Sequence, residues 1–575
     1  MTPARRIRRR RVESTGGWPA DVPPLLQRVY AARGIDDPAL ARPRLAQLPP
    51  PAAMRGIDAA AELLADAISA DRRIVVVADF DCDGATACAV AVRGLRMLGA
   101  NNVAYAVPNR MVHGYGLSPA LVEEVAALGP ELLVTVDHGI ACHAGIEAAR
   151  AKGWQVLVTD HHLPGERLPD ANAIVNPNQP GCDFGGKALA GVGVMFYVLL
   201  ALRALLRGRG AFNGPEPDLA MLLDLVAVGT VADLVPLDAA NRALVAAGLR
   251  RLRAGQGAPG LLALIEVSRR DPRTLGAADI GYAVGPRLNA AGRLEDMAVG
   301  IECLLCDDPA RAQELARMLD AINAERRSVQ AAMVEEAETA VSAWVVEGTP
   351  GPPPAAWCLF DPSWHPGVVG LVASKLKERL HRPVVAFAPA DPGSELLRGS
   401  ARSIPGFHMR DALAAVDTAH PGLVERFGGH AMAAGLTLPA AHLERFEHAF
   451  RAHAEARLDE AMLQSVIDSD GELEPAEFDR FHAEALRDGG PWGQAFPEPV
   501  FDGEFALMDW RPVGERHLRM RLRMPGGKGA LKAIHFGGWR GEPPPPRLRL
   551  AFRLACDDWQ GARDIQLVVE HLEPA

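Results

Sequence analysis

Hydrophobic positions follow three rhythms along the chain. From about residue 56 to 240, short apolar runs alternate with stretches of helical spacing. Ile74–Ala78, Leu132–Val136 and Gln155–Thr159 read as short buried strands, separated by helix-like stretches such as Thr86–Leu98 and Ser118–Ala127. Strands alternating with helices imply a parallel α/β sheet. In residues 310–346, Leu315, Met318, Leu319, Ile322, Val329, Met333, Val334, Ala337 and Val341 recur at three- and four-residue steps with no internal Pro or Gly. This predicts one long helix, a strut between domains. Thr349-Pro-Gly-Pro-Pro-Pro then marks a linker. Residues 356–458 alternate again, with Trp357–Phe360 and Pro383–Phe387 as strands and Val368–Leu380 as a helix.

The last hundred residues repeat at period two. Leu518, Met520, Leu522 and Met524 share one face, and His517, Arg519, Arg521 and Arg523 the other; Arg547–Leu554 repeats the pattern. Half-buried strands of this kind, several within a short stretch, predict a small β-barrel. The expected organisation is an arm and adaptor (1–55), a parallel-sheet domain (56–240), a helical connector ending in the long helix (241–347), a second α/β domain (348–458) and a barrel domain (459–575).

Composition adds exclusions. The chain has 575 residues, 49% hydrophobic and 23% charged, ample for several globular cores. No uninterrupted apolar run approaches the roughly 20 residues of a membrane span, so no membrane role is expected. Eight cysteines are sparse, and Cys303-x-x-Cys306 has no facing pair to build a zinc site. Reduced thiols in a cytoplasmic protein fit best. The net charge of −10 leans away from nucleic acid only until the chain is divided. Residues 511–553 carry eleven Arg or Lys against Glu515 and Glu542, a local +9, and residues 459–510 carry fourteen acids against Arg480 and Arg487, a local −12. Either run reads equally as a solvated face. Arginines repeated on one strand face also fit a phosphate-contacting surface. Arg5, Arg6 and Arg8–Arg11 read as a disordered basic arm, with contact to DNA as the alternative.

The candidate chemistry lies where the early strands end. The first runs into Asp79-Phe80-Asp81-Cys82-Asp83-Gly84, the second into Asp137-His138-Gly139, the third into Asp160-His161-His162. In open α/β sheets functional groups gather beyond the carboxyl ends of strands. A single acid there is commonly a turn or cap residue. So many carboxylates together would force one another's protonation unless cations intervene. Oxygen ligands with a few imidazoles suit Mn²⁺ or Mg²⁺. Asp233, inside the apolar stretch Val228–Pro236, needs a partner, either a metal or a backbone cap.

These motifs closely resemble the DHH phosphoesterase superfamily and, within it, the RecJ exonucleases. Asp160-His161-His162 is its name motif; Ala78–Gly84, Val136–Gly139 and Thr230–Pro236 match its other motifs. The second α/β unit resembles the companion DHHA1 domain through Trp364-His365-Pro366-Gly367-Val-Val-Gly370, Arg398–Ser403 and Phe427–Gly435. Pro108-Asn109-Arg110, His113-Gly-Tyr115-Gly, Gly285–Arg293 and Gly490–Phe501 add RecJ-like features, so the resemblance spans about residues 55–575.

The resemblance implies a DHH parallel-sheet domain and a DHHA1 domain joined by a long helix, with an OB-like barrel. It implies a 5′-to-3′ exonuclease that releases mononucleotides from single-stranded DNA, in repair and recombination, with two Mn²⁺ or Mg²⁺ ions. Asp137 is the expected bridging ligand, Asp79 and Asp81 complete one ion, and Asp83, His161 and Asp233 hold the other. Asp160 is expected to orient His161; His162 contacts the scissile phosphate or takes a structural hydrogen bond. Arg110, Arg287, Asn289, Arg293, Ser400, Arg402, Gly428, Gly429 and His430 are the candidate substrate grips, and Tyr115 a base-stacking residue. Arg519, Arg521 and Arg523 are placed on the DNA path. Expected partners are single-stranded DNA, a single-strand-binding protein and a helicase, with the chain itself a monomer. Competing readings are a phosphodiesterase of nanoRNA or cyclic-dinucleotide products, a non-catalytic DNA-binding scaffold and a family-II pyrophosphatase.

Overall fold

The computed structural model describes residues 5–12, 17–109, 112–346, 353–524, 526, 529–558 and 563–575. Arg110 and the stretch 349–352 of the expected linker lie outside the described residues. The chain divides into two compact units, residues 10–323 with 470–575 and residues 1–9 with 324–469. Strands are numbered along the chain from β1 (Arg6–Arg9).

The larger unit is built on a parallel sheet of β2 (Ile74–Ala78), β3 (Val103–Ala106), β4 (Leu132–Val136), β5 (Gln155–Thr159) and β6 (Ala173–Val175), in the order β3-β2-β4-β5-β6. Strands β2 and β4 are buried at every residue. Cover on both faces explains why they read as unbroken apolar runs. The helix expected over Thr86–Leu98 starts earlier, at Cys82, because Asp81 caps it: the Asp81 side chain accepts from the Gly84 N–H at 2.9 Å. The helix Gly191–Gly208 is long and apolar enough to cross a membrane by length and composition. It packs instead against the helices Ile57–Ser69 and Cys82–Met97.

The smaller unit contains β7 (Trp357–Phe360), β8 (Val384–Pro389), β9 (Leu396–Arg402), β10 (Arg426–Gly429) and β11 (Ala433–Pro439), ordered β10-β11-β9-β8-β7. The long helix spans Pro309–Val346, and the division between the units falls within it. The basic arm is not the disordered segment expected. Its β1 pairs in parallel with β12 (Val466–Ser469), with Ile7 buried and Arg8 bound to Asp468 at 2.7 Å.

Back in the larger unit, β13 (Phe501–Val513), β14 (His517–Arg523), β15 (Ala530–His535), β16 (Arg547–Asp557) and β17 (Asp564–Pro574) close a barrel in the order β13-β14-β15-β17-β16. An aromatic knot ties the segment before it to the adaptor. Tyr30, Trp492 and Phe496 lie together, and the Arg242 guanidinium sits 4.0 Å above the Phe496 ring. Arg33 makes a two-pronged pair with Asp470 at 2.9 and 3.0 Å, side chains only 2% and 1% exposed. Removing one partner of such a pair strands the other charge. Asp470→Ala is therefore expected to destabilise the protein by about 3–5 kcal/mol in urea unfolding; a loss below about 1 kcal/mol would show that Arg33 does not depend on this carboxylate.

Candidate metal centre

Strands β2, β4 and β5 are neighbours in the sheet, so the loops that follow them open on one edge. Asp79 follows β2, Asp81 caps the next helix and Asp83 lies in its first turn. Asp137 follows β4, and Asp160, His161 and His162 follow β5. Asp233 arrives from the C-terminal end of the helix Leu223–Ala232. These loops bring together three sets of ligand atoms, each set lying within 4.8 Å: Asp79, Asp81 and Asp137; Asp83, His161 and Asp233; Asp137, His161 and His162.

Like His161, Asp137 belongs to two of the three sets. Its backbone is left-handed (φ +65°), uncommon for a residue with a Cβ and a form of local strain found at functional sites. His161 Nε2 lies 3.1 Å from Asp137 Oδ1 and 3.6 Å from Asp233 Oδ2. Asp137 Oδ1 is buried and accepts no hydrogen bond from the described residues. A Cβ on Gly191 would sit 2.5 Å from that oxygen, so only glycine lets the next helix start there. Asp83 anchors that start: its oxygens accept from the Gly191 and Val192 N–H groups at 2.6 and 3.0 Å.

Burial, and then the neighbouring carboxylates, push Asp137 and Asp233 well above the usual carboxylate range. Burial and Asp81 push Asp83 up to about 7, against the pull of its two backbone donors. Protons or cations must therefore balance this charge. A buried carboxylate oxygen set among other carboxylates and an imidazole nitrogen fits hard divalent cations such as Mn²⁺ or Mg²⁺.

Asp160 departs from the expectation for it. Its Oδ1 accepts from the backbone N–H groups of His161 and His162 and bonds the His162 ring at Nδ1, 2.8 Å away. The tight turn after β5 thus makes His162, not His161, the ring it orients. Burial opposes a charge on His162, but the hydrogen bond and charge of Asp160 outweigh it and raise the ring to about 9. Asp160 itself stays well below the usual range despite burial, held by His162 and the amide donors. Sequence reasoning missed Asn176 and Asn178, whose side-chain amides donate to the His162 and His161 carbonyls at 2.9 and 2.7 Å. Their signal was an Asn-Pro-Asn directly after β6. His138 is buried, with Nε2 3.1 Å from the Val77 carbonyl. Tyr115 stands edge-on to Phe80 and His162, half-exposed.

The remaining candidates separate. In the larger unit, Arg287, Asn289 and Arg293 lie on the helix Gly285–Leu294. Arg287 is held by Asp320 at 2.8 and 2.9 Å and by the Ala283 carbonyl at 2.6 Å, and the Asn289 side-chain oxygen accepts from the Cys82 N–H at 2.8 Å. In the smaller unit, the strand register sets Gly428 opposite Gly435 and Gly435 opposite Ser400, with Arg402 two residues on and His430 just past β10. On the barrel, Arg547 pairs with Glu504, Arg549 with Asp502 and Glu573, and Arg553 with Glu498 and Glu570. Among the described residues no ion pair engages Arg519, Arg521 or Arg523 on β14.

A parallel sheet that gathers carboxylates and imidazoles at its strand ends, with a second α/β unit and a barrel, defines a phosphoesterase of the DHH type. Family models agree: the DHH family N-terminal domain matches residues 73–230, the DHHA1 domain 354–456 and the RecJ OB domain 469–571. The single-stranded-DNA-specific exonuclease RecJ of Salmonella typhimurium is 49% identical over 580 residues, covering all of both chains. The crystal structure of Thermus thermophilus RecJ with Mn²⁺ is 32% identical, matches 96% of this chain and 76% of that one, and superposes with a TM-score of 0.78. The same protein with Mg²⁺ is 30% identical, matches 96% and 75%, and gives 0.74. The chain belongs to the RecJ family.

Proposed function

We propose that the protein is a two-metal exonuclease that hydrolyses single-stranded DNA from its 5′ end to mononucleotides, in DNA repair and recombination. The observation that carries this reading is Asp137, whose carboxylate belongs both to the set with Asp79 and Asp81 and to a set with His161, the residue that also reaches Asp83 and Asp233. Asp79, Asp81 and Asp137 would hold one ion, and Asp83, His161 and Asp233 the other, with Asp137 between them. Two divalent ions so held supply an activated water and stabilise charge on the phosphoryl and leaving oxygens. His162, tethered by Asp160 and favouring its charged form, has a proton to donate to a phosphate oxygen. Ser400, Arg402, Gly428, Gly429 and His430 are proposed to bind the 5′ end. Unwinding must supply the single strand, so a helicase and a single-strand-binding protein are the proposed partners of a cytoplasmic monomer.

A Mn²⁺-dependent digest of 5′- and 3′-labelled single- and double-stranded DNA tests polarity and strandedness together. Label release from the 5′ end of single strands is expected; activity confined to dinucleotides would sink the proposal. The arginines of β14, which make no ion pair among the described residues, give a second expectation. Replacing Arg519, Arg521 and Arg523 together by Gln is expected to weaken binding of long strands and reduce the salt slope of log K by about 2, at roughly 0.7 per phosphate contact. An unchanged slope would remove this strand from the DNA path.

A further inference from the structure

We propose that the helix Gly285–Leu294 braces the loop that carries Asp79 and Asp81, and that Asn289 is a positioning residue for the divalent ions, acting through Cys82 and not on DNA. The inference rests on the metal-centre reading above. Helix N-termini begin with N–H groups that have no partner inside the helix. In the helix that starts at Cys82, the Gly84 N–H is satisfied locally by the Asp81 side chain at 2.9 Å. The Cys82 N–H, immediately after Asp81, is satisfied from 207 residues away by Asn289 Oδ1 at 2.8 Å. On the other side of Asp81, the Phe80 carbonyl lies against Gly292, where a Cβ would sit 1.8 Å from its oxygen. Asn289 and Gly292 are one helical turn apart and share a face. That face therefore contacts the peptide units on both sides of Asp81.

The brace is itself fixed. Arg287 ties it to Asp320 at 2.8 and 2.9 Å and to the Ala283 carbonyl at 2.6 Å. A Cβ on Gly285 would lie 3.2 Å from the Cβ of Ala232, the residue before Asp233. The same helix thus abuts the carriers of Asp81 and Asp233, one from each proposed ion site. A neutral amide suits this task, because it accepts the Cys82 N–H without adding to the crowd of carboxylates. Partners of this kind behind a metal ligand typically contribute 10–100-fold in metal affinity or activity.

The test is titration calorimetry of Mn²⁺ into the metal-stripped full-length protein, together with KM for single-stranded DNA at saturating Mn²⁺. Asn289→Ala is expected to weaken Mn²⁺ binding about 10–100-fold, with KM within about twofold of wild type. Asn289→Asp, which keeps the acceptor oxygen and adds a negative charge beside the cluster, is expected to bind Mn²⁺ at least as tightly as wild type does. Undiminished Mn²⁺ affinity in Asn289→Ala, or a raised KM with unchanged affinity, would overturn the proposal and return Asn289 to DNA. Equal weakening in both variants would also overturn it, since the hydrogen bond would then not be the cause. If Asn289→Ala fails to fold, Gly292→Ala carries the same test: its Cβ must displace the Phe80 carbonyl, so weakened Mn²⁺ binding is expected and unchanged binding overturns the brace. A wild-type protein that binds no Mn²⁺ fails the metal-centre reading itself, a result distinct from all of these.

Discussion

Asp137→Ala is expected to abolish hydrolysis while leaving the fold intact. The carboxylate it removes belongs to two of the three ligand sets and links the Asp79 and Asp81 set to His161. Without it neither proposed ion keeps its full complement, and the geometry that would hold two ions side by side is gone. A loss of at least about 10³-fold in kcat/KM, equivalent to about 4 kcal/mol of transition-state stabilisation, is the expected scale. The fold is expected to survive for a separate reason. Burial and the charges of Asp83, Asp81 and Asp233 all oppose ionisation of Asp137, so its removal relieves repulsion. The left-handed backbone is retained, because alanine at φ +65° is no more strained than aspartate by much more than about 1 kcal/mol. Activity on a labelled single strand across a Mn²⁺ series, beside far-UV circular dichroism, checks both halves. Activity near the wild-type rate in Mn²⁺ would refute the bridging assignment.

Local and periodic features were legible in the sequence; contacts between distant segments were not. The expected strands Ile74–Ala78, Leu132–Val136 and Gln155–Thr159 are observed with those bounds, because a strand buried on both faces leaves an unbroken apolar run that polar turns delimit. The acids after them were visible for the same reason, since each marks where a run stops. Nothing in the sequence near Asp83 announces that Gly191 and Val192 will donate to it, or that Asn289 will cap the helix at Cys82. Charge runs misled in a related way. Arg8 pairs with Asp468, Arg33 with Asp470, Arg547 with Glu504 and Arg553 with Glu498, so much of the acidic stretch neutralises arginines elsewhere in the chain. Of the two arginine strands, which look alike in sequence, β16 is largely paired within the fold, whereas the arginines of β14 make no ion pair among the described residues. Net charge per segment could not separate them, because it carries no information on which side chains face each other.

Removing divalent ions is expected both to stop hydrolysis and to make the fold less stable as pH rises from 6.5 to 8. The sign follows from the direction of each shift. Asp83 is raised to about 7, and Asp137 and Asp233 are raised well above the usual carboxylate value of 3.8. His162 is raised from 6.5 to about 9. A raised group holds its proton more tightly when folded, so its contribution is complete below the unfolded pKa and lost as pH climbs through the folded one. Asp83 and His162 therefore act in the same direction within pH 6.5 to 8, and the upward shifts of Asp137 and Asp233 carry the same sign. His138, lowered to about 4 by burial, acts in the opposite direction, but only between about 4 and 6.5, below this window. Bound cations replace the protons that hold the cluster together, and binding releases those protons. Thermal unfolding in EDTA and in Mn²⁺, at pH 6.5 and at pH 8, isolates the effect, because the raised thiols of Cys88 and Cys358 influence both buffers alike. The midpoint in EDTA is expected to fall between the two pH values, and the gain on adding Mn²⁺, a few degrees at about 100 times its dissociation constant, to be larger at pH 8. An equal gain at both would mean that the ions and the protons do not compete for these carboxylates, and the metal centre would have to lie elsewhere.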